Sequence, residues 1–185
     1  ENREWRSRYE AAISATGQIL YDWDPRTDSV KWGGAVPRIL GLEVGELGTR
    51  LEQWVDLIHP EDVHAFDTQR ERVIKTLTPF KQQYRVRRLD GSYVPVEDQG
   101  HFFVDLAGQI VRMVGFITDI GERKRTEEAL VASEAQYRRI VETSLEGIWM
   151  IDEHNRTNFV NHRMAAMLGY SVEEMLGRSL FDFME

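Results

Sequence analysis

The chain repeats itself at a distance of 128 residues, and this repeat constrains the fold more than any other feature of the sequence. An ungapped alignment of the N-terminal part with the C-terminal part gives seven identical positions: Tyr9/Tyr137, Asp24/Asp152, Leu40/Leu168, Gly41/Gly169, Val44/Val172, Glu46/Glu174 and Arg50/Arg178. Because the sequence stops at Glu185, the second copy ends at the counterpart of Leu57. The repeat therefore predicts one complete domain followed by the first half of a second.

Composition excludes several classes of function. The absence of cysteine rules out disulfides, thiolate metal sites, cysteine nucleophiles and flavin-cysteine adducts. With 31 acidic and 23 basic residues the formal charge is -8, which makes nucleic acid a poor partner. No apolar run approaches the ~20 residues of a membrane helix, and the chain starts at Glu1 without a signal peptide. We expect a cytoplasmic piece of a longer protein without membrane contacts of its own; whether the parent is membrane-anchored stays open.

Periodicity predicts an α+β domain. An amphipathic helix is predicted over 1–16, and alternation predicts five strands, at 19–24, 29–32, 80–88, 93–104 and 110–120. Between the second and third strands lie predicted helices at 35–40, 51–58 and 63–77, the last capped by Asp62. Tight turns between the strands imply an antiparallel sheet with helices on one face. Pro95 predicts a bulge or an edge position in the fourth strand.

The stretch 121–144 contains no proline and predicts one linker helix. Leu130, Tyr137 and Ile140 fall on a stripe of alternating four- and three-residue spacing, the pattern of a short, weak coiled coil. The predicted organisation is thus a signalling helix at 1–16, a complete domain at 17–120, the linker helix at 121–144 and a truncated domain at 145–185. Because the truncated copy lacks the counterparts of three strands, we expect it to be disordered or domain-swapped.

Four strings carry a resemblance to a known family. They are Trp-Gly-Gly-Ala-Val-Pro-Arg-Ile-Leu-Gly-Leu at 32–42, Leu-Ile-His-Pro-Glu-Asp-Val at 57–63, Tyr-Arg-Val-Arg-Arg-Leu-Asp-Gly-Ser-Tyr at 84–93 and Val-Gly-Phe-Ile-Thr-Asp-Ile-Gly-Glu-Arg-Lys at 114–124. In this order they resemble the PAS sensor domain with its C-terminal PAC segment. The family's opening returns in the second copy as Phe-Val-Asn at 159–161 and Met-Leu-Gly-Tyr-Ser at 167–171. The family's last strand ends in Asp-Ile-Thr, whereas this chain has Gly121 in place of the threonine.

The resemblance implies a PAS fold and a cytoplasmic sensor module of a bacterial signalling protein. Such a module passes a ligand- or partner-driven change along its flanking helices to an output domain. A sensor histidine kinase is the favoured parent, and a diguanylate cyclase or phosphodiesterase comes next. Neither output lies within these residues, so we expect no enzymatic activity from this chain.

A ligand cavity is expected between the long helix and the sheet. Its candidate residues are Trp54, His64, Phe66, Arg70, Val73, Tyr84, Val86 and Phe116. A small metabolite is the favoured occupant, and a flavin stacked on Trp32 or Trp54 is an open alternative. Haem is less favoured, since His64 is the only histidine of the long helix and lies in its first turn. A well-packed domain without any ligand, which acts as a dimer scaffold or relay and in which the same aromatic residues are plain core, is the most favoured state of all.

No catalytic or metal-binding constellation emerges. Asp22 and Asp24 share the outward face of a strand and are best explained as a solvated edge. The five histidines show no spacing typical of a zinc or iron site, so no metal is expected.

Signal transmission is assigned to five residues around the linker helix: Asp119, Arg123, Leu130, Tyr137 and Ile140. Arg85, Arg87 and Arg88 form a basic cluster that is best explained as a salt-bridged surface. We expect Asp119 to pair with one of these arginines or with Arg123 and so to couple the sheet to the linker helix.

Population shift is the expected mechanism: a ligand or an upstream helix favours one packing of the flanking helices in a homodimer. A ligand-free module for protein-protein interaction or dimerisation is the alternative from another class.

Overall fold

The computed structural model describes residues 16–184. The chain divides into two compact units, 1–124 and 125–185. Apart from Thr16, the helix predicted over 1–16 lies outside the described residues. Along the described part of the chain, no helix is both long enough and apolar enough to cross a membrane.

A five-stranded antiparallel sheet is the framework of the first unit. Its strands are β1 (Ile19–Asp24), β2 (Ser29–Gly34), β3 (Phe80–Arg87), β4 (Tyr93–Val104) and β5 (Ile110–Asp119). Gly91 and Gly108 adopt positive φ in the two turns between β3, β4 and β5, as tight hairpins require. The spatial order β2-β1-β5-β4-β3 places the last strand in the centre, between β1 and β4. The predicted α+β fold with five antiparallel strands is confirmed.

Three helices and one 3₁₀ turn connect β2 to β3. They are α1 (Val36–Leu40), the 3₁₀ turn Val44–Leu47, α2 (Leu51–Val55) and α3 (Pro60–Thr76). Gly41 ends α1 in the left-handed conformation, as its sequence position predicts. The predicted cap of the long helix is wrong: α3 starts at Pro60, and the His59 side chain accepts the N–H of Glu61. The Asp62 carboxylate instead accepts from Arg85.

The helices pack against one face of the sheet, and alternate residues of each strand point into the core between them. The buried core includes Ile19, Tyr21, Val36, Ile39, Leu40, Trp54, Phe66, Val73, Tyr84, Val86, Val94, Val96 and Ile117. Each large apolar side chain removed from water in this way stabilises the fold by about 1.5–3 kcal/mol.

Pro95 lies within β4 but costs the sheet no hydrogen bond. Its carbonyl accepts the N–H of Ile120 at 3.0 Å, just past Asp119, where β5 ends. The backbone N and O of a strand residue point to the same neighbouring strand, so an N–H at Pro95 would also point toward β5. At that position β5 has already ended and offers no carbonyl for a sheet hydrogen bond. The prediction of a bulge or an edge position at Pro95 is therefore wrong. The strand β4 is an interior strand between β5 and β3, and its bulge lies at Phe103/Val104.

Helix α4 (Gly121–Thr143) follows β5 and contains 23 residues, none of which is buried. The prediction of one continuous helix over 121–144 agrees with these bounds.

The second unit begins within α4, at Arg125. After α4 its described residues form β6 (Trp149–Ile151), β7 (Thr157–Val160), α5 (His162–Leu168), α6 (Val172–Met175) and a 3₁₀ turn, Leu180–Phe183. Val160, Ala165 and Met175 form its small buried core. The structure thus shows ordered elements in this segment, where disorder was predicted. The buried side chain of Asn161 supplies much of the local order, because it accepts the N–H groups of Ile148 and Met164 and donates to two further carbonyls.

Candidate functional site

A buried carboxylate joins four elements of the first unit. Asp98 of β4 accepts a hydrogen bond from the Tyr21 hydroxyl of β1 at 2.9 Å and from the Tyr84 hydroxyl of β3 at 2.8 Å. The Trp54 indole N–H of α2 donates to the Tyr84 hydroxyl at 3.0 Å. Asp98 is only 4% exposed, so each of these bonds is shielded from water. We call these four side chains the Asp98 network.

The strand pattern explains why Asp98 lies inside. Val94, Val96 and Asp98 are successive alternate residues of β4, and all three point to the helix-covered face. Room for the Tyr21 ring comes from two paired glycines, Gly100 of β4 and Gly115 of β5. A Cβ atom at either glycine would overlap the Tyr21 side chain. The two glycines therefore leave the space that lets the Tyr21 hydroxyl reach the Asp98 carboxylate.

Burial dominates the electrostatics of the network. Loss of water raises the pKa of Asp98 to about 7, although the hydrogen bonds from Tyr84 and Tyr21 oppose this shift by stabilising the ionised form. Burial, with the nearby Asp98 charge, also raises the pKa values of both phenols, so they stay neutral donors. Among residues 16–184 no cation forms an ion pair with Asp98. The carboxylate is thus held by neutral hydrogen bonds alone.

The Asp98 network borders a small cavity of about 30 Å³ between the sheet and the helices. Its lining consists of Tyr21, Trp23, Val30, Trp32, Leu51, Trp54, Phe66, Arg70, Phe80, Asp98, Met113 and Ile117. The rings of Trp32 and Trp54 pack on each other with centroids 4.9 Å apart. The Trp32 indole N–H is buried without a hydrogen-bond acceptor. The space suits roughly two water molecules.

The structure brings some of the predicted cavity residues together and separates others. Trp54, Phe66 and Arg70 line the cavity, and Tyr84 adjoins it through Asp98. Val73 and Val86 are fully buried core residues that do not line it.

Two of the predicted cavity residues lie elsewhere. His64 is exposed on α3, because the buried side of this helix carries Phe66 and Val73, which lie roughly opposite His64 around the helix axis. Phe116 is 38% exposed on the outer face of β5, since the inward-facing positions of this strand are Met113, Gly115 and Ile117. Assigning either side chain to the cavity is therefore wrong.

The cavity does not fit the two cofactors considered from the sequence. A flavin ring needs a pocket of the ~300 Å³ or more typical of small-molecule sites, whereas aromatic side chains fill this one. A haem ligand is missing as well, because none of the side chains that line the cavity is a histidine and His64 lies outside it. No group of three metal-ligating side chains occurs along 16–184.

Sequence reasoning missed the residues that define the site, Asp98 and Tyr21. A usable signal was present: an acidic residue continues the inward alternation of Val94 and Val96. An aspartate on an apolar strand face predicts a buried, hydrogen-bonded carboxylate.

The junction between β5 and α4 is held by side chains of the sheet. Asp119 Oδ1 accepts the backbone N–H of Gly121 at 2.7 Å. Its Oδ2 accepts from the Arg88 guanidinium at 3.2 Å. Arg123 in the first turn of α4 lies 3.6 Å from Glu97 of β4. The expected pairing of Asp119 with an arginine of the basic cluster is thus realised with Arg88, while Arg123 approaches another carboxylate.

Arg85 of the same cluster forms a salt-bridged surface. Its guanidinium donates to Asp62 at 2.7 and 2.9 Å and to Glu61 at 2.8 Å. These bonds tie β3 to the start of α3 and lower the pKa values of both carboxyls.

The predicted seam residues of α4 are open to solvent. Leu130 and Ile140 are each 60% exposed, and Tyr137 is 72% exposed. Each is a large side chain on a helix without buried residues, so the stripe is available for contact.

These features define the class of protein. It is a small α+β domain with a cavity between the sheet and its helices, and its last strand leads into a long helix. A family model described as PAS fold matches residues 29–117, and a second model with the same description matches residues 135–185. The chain therefore belongs to the PAS-fold family, whose models match it in two successive stretches.

Relatives with known names are signalling proteins. The crystal structure of a sensory box histidine kinase/response regulator from Burkholderia thailandensis is 30% identical, with a TM-score of 0.58, and the match covers 71% of this chain and 98% of that one. The two-component sensor PprA of Pseudomonas aeruginosa is 25% identical over 186 residues, 96% of this chain and 19% of its own length. The probable diguanylate cyclase DgcE of Escherichia coli is 23% identical over 177 residues, 95% of this chain and 16% of its own length.

The chain thus spans less than a fifth of the length of these two curated relatives. Its relationship to sensor kinases and a diguanylate cyclase identifies it as a sensory signalling module. The PAS sensor domain itself is non-catalytic.

Proposed function

We propose that this chain is a cytoplasmic sensory or signal-relay module of a larger bacterial signalling protein. In this role residues 17–120 respond to a ligand or partner, and the flanking helices pass the change to an output domain. A histidine kinase is the favoured output because the 30% identical structure belongs to one. A diguanylate cyclase is the second choice, because such an enzyme is among the relatives.

The single observation that carries the proposal is the path from the cavity to α4. Ile117 of β5 lines the cavity and pairs with Asp98 in the sheet. Two residues later Asp119 caps the first N–H of α4. A shift of β5 against its neighbours therefore acts on the first turn of the helix with no flexible linker between them.

Exposed apolar residues on α4 support a homodimer. Leu130, Tyr137 and Ile140 provide three apolar contacts at coiled-coil spacing. Three contacts make a weak seam, so two packings of the helices lie close in energy and a small input can exchange them.

Sedimentation equilibrium of the full chain tests the dimer. Leu130→Glu is expected to weaken self-association at least tenfold, because it places a charge in the seam. Val131→Glu is the matched control, since Val131 is a similarly exposed apolar residue one position off the stripe. Equal association of the two variants would contradict a seam on this stripe.

Asp119→Asn tests the relay in the full-length parent. The variant is expected to change how the output activity responds to signal, because a neutral side chain holds Arg88 and the helix N-terminus less strongly. Asp56→Asn, at an exposed aspartate after α2, serves as control. An unchanged response in Asp119→Asn would remove the coupling role.

A ligand-free interaction module is the second candidate function. Phe103 and Phe116, 53% and 38% exposed, lie on the outer face of the sheet. Together with the small volume of the cavity, this apolar surface favours a protein partner over a metabolite. Substitution of both by serine would then abolish signalling while leaving the fold intact, whereas unaffected signalling would exclude the outer face.

A further inference from the structure

Asp98 is a buried acid with no cationic partner along residues 16–184. Both carboxylate oxygens are satisfied, but only by the neutral hydroxyls of Tyr21 and Tyr84. An ionised carboxylate in such surroundings carries a large desolvation penalty, which uptake of a proton removes. The adjoining cavity of about 30 Å³ has no room for an organic cation.

The groups facing Asp98 are few. Among the lining side chains, β1 contributes the phenol of Tyr21, and α3 contributes the guanidinium of Arg70, which is engaged by Asp67 at 2.9 Å. From β3, Tyr84 donates its hydroxyl. The elements β2, β5 and α2 present only apolar or indole side chains. Burial accordingly outweighs the two phenol hydrogen bonds and places the pKa of Asp98 at about 7.

Protonation changes the hydrogen-bond pattern of the network. The ionised carboxylate accepts from both phenols, whereas the neutral acid must itself donate one hydrogen. The Tyr84 oxygen already accepts from Trp54, so the Tyr21 oxygen is the better acceptor for this new donor. The Tyr21 hydroxyl hydrogen then loses its acceptor and turns toward the cavity. The tie between β1 and β4, which spans the central strand β5, is thereby altered.

We propose that Asp98 is a proton-binding site and that the proton is the ligand sensed by this PAS domain. The inference rests on the sensory function proposed above and names its stimulus. Since Asp98 pairs with Ile117 only two residues before Asp119, proton uptake acts on the strand that leads into α4.

Titration of the full chain by carboxyl-detected NMR tests the site. The Asp98 carboxyl is expected to titrate with a midpoint near 7, and the Trp54 indole N–H signal should follow with the same midpoint. Tyr84→Phe is expected to move the Asp98 midpoint upward by about one pH unit, because it deletes one donor to the ionised form. Tyr93→Phe, at an exposed phenol, is the matched control and should leave the midpoint unchanged.

Asp98→Asn should abolish the titration of the Trp54 signal. An Asp98 midpoint below 5 would overturn the proposal, as would a Trp54 response that survives Asp98→Asn. If Asp98→Asn fails to fold, Tyr21→Phe and Tyr84→Phe, which each delete one hydroxyl, still decide the question through the direction of their shifts.

Amide protection factors at residues 121–124, which correct the exchange rate for its intrinsic dependence on pH, separate this proposal from the sensory function when they are compared at pH 6 and pH 8. A change in protection that disappears in Asp98→Asn supports both. Titration of Asp98 near 7 without any change at 121–124 would overturn the relay and keep the proton site. The opposite outcome has two parts: Asp119→Asn changes the protection of amides 121–124, and Asp98 titrates with a midpoint below 5. Together these results would overturn the proton site and keep the relay.

Discussion

Asp98→Asn is expected to flatten the pH dependence of stability. The pKa of Asp98 is raised from its ordinary value of 3.8 to about 7 in the folded chain by burial. A raised pKa means that the folded state binds the proton more tightly than the unfolded state does. The stabilising contribution of the proton is therefore fully present below pH 3.8 and is lost as the pH rises through 7.

The magnitude follows from this shift. Each unit of difference between folded and unfolded pKa corresponds to about 1.4 kcal/mol. Between pH 5 and pH 8 the unfolded carboxyl is already ionised while the folded one loses its proton. The native chain should thus lose about 2–3 kcal/mol of unfolding free energy over this interval that Asp98→Asn does not lose.

Urea unfolding at several pH values between 5 and 8, at constant ionic strength, measures this difference. Asp24→Asn is the control: its hydrogen bond with Arg26 lowers the pKa of Asp24 to about 2, so its contribution is present above pH 3.8 and is lost only as the pH falls toward 2. Its stability curve should run parallel to that of the native chain from pH 5 to pH 8. If the curve of Asp98→Asn also runs parallel, the reasoning from burial is refuted.

Three further results are expected. Gly115→Ala should destabilise the first unit by about 1–3 kcal/mol, because its Cβ would overlap the Tyr21 ring and lie 2.5 Å from the carbonyl oxygen of Gln99. The control is Gly33→Ala, where a Cβ meets open space. Equal thermal midpoints of the two variants would contradict this. The purified chain should show no flavin or haem absorption before or after dithionite, since neither fits the cavity; a band that bleaches would overturn that conclusion. Asn161→Ala should abolish the protection of amides 147–180 from exchange, because the Asn161 side chain organises the segment; unchanged protection would assign the order to the apolar core instead.

The sequence by itself determined the local structure of this chain. Alternation predicted the strands, the position of Gly41 predicted a helix end, and the short spacing between the strands predicted tight turns such as the one at Gly91 between β3 and β4. The 128-residue repeat and four short strings were sufficient for the family and the two-copy organisation. These features are local because they depend on backbone conformations and on neighbours within one element.

The candidate site was only half predictable from the sequence. Phe66 and Trp54 were assigned to the cavity from helix periodicity and aromatic character. Phe116 was misplaced because the alternation of β5 was not carried through, and Asp98 was overlooked although it continues the inward pattern of β4. The error shows that a polar residue on a buried strand face carries more information about function than the aromatic residues around it.

Only the tertiary structure decided which distant side chains meet. Insertion of β5 between β1 and β4 brings Tyr21 within hydrogen-bond distance of a residue 77 positions away, and a second long-range bond from Tyr84 completes the network. Burial of a carboxylate depends on every element that excludes water from it. The proton affinity of Asp98 therefore cannot be predicted from the residues adjacent to it in the sequence. The sequence supplied an aspartate; the fold determined that this aspartate takes up its proton near neutral pH.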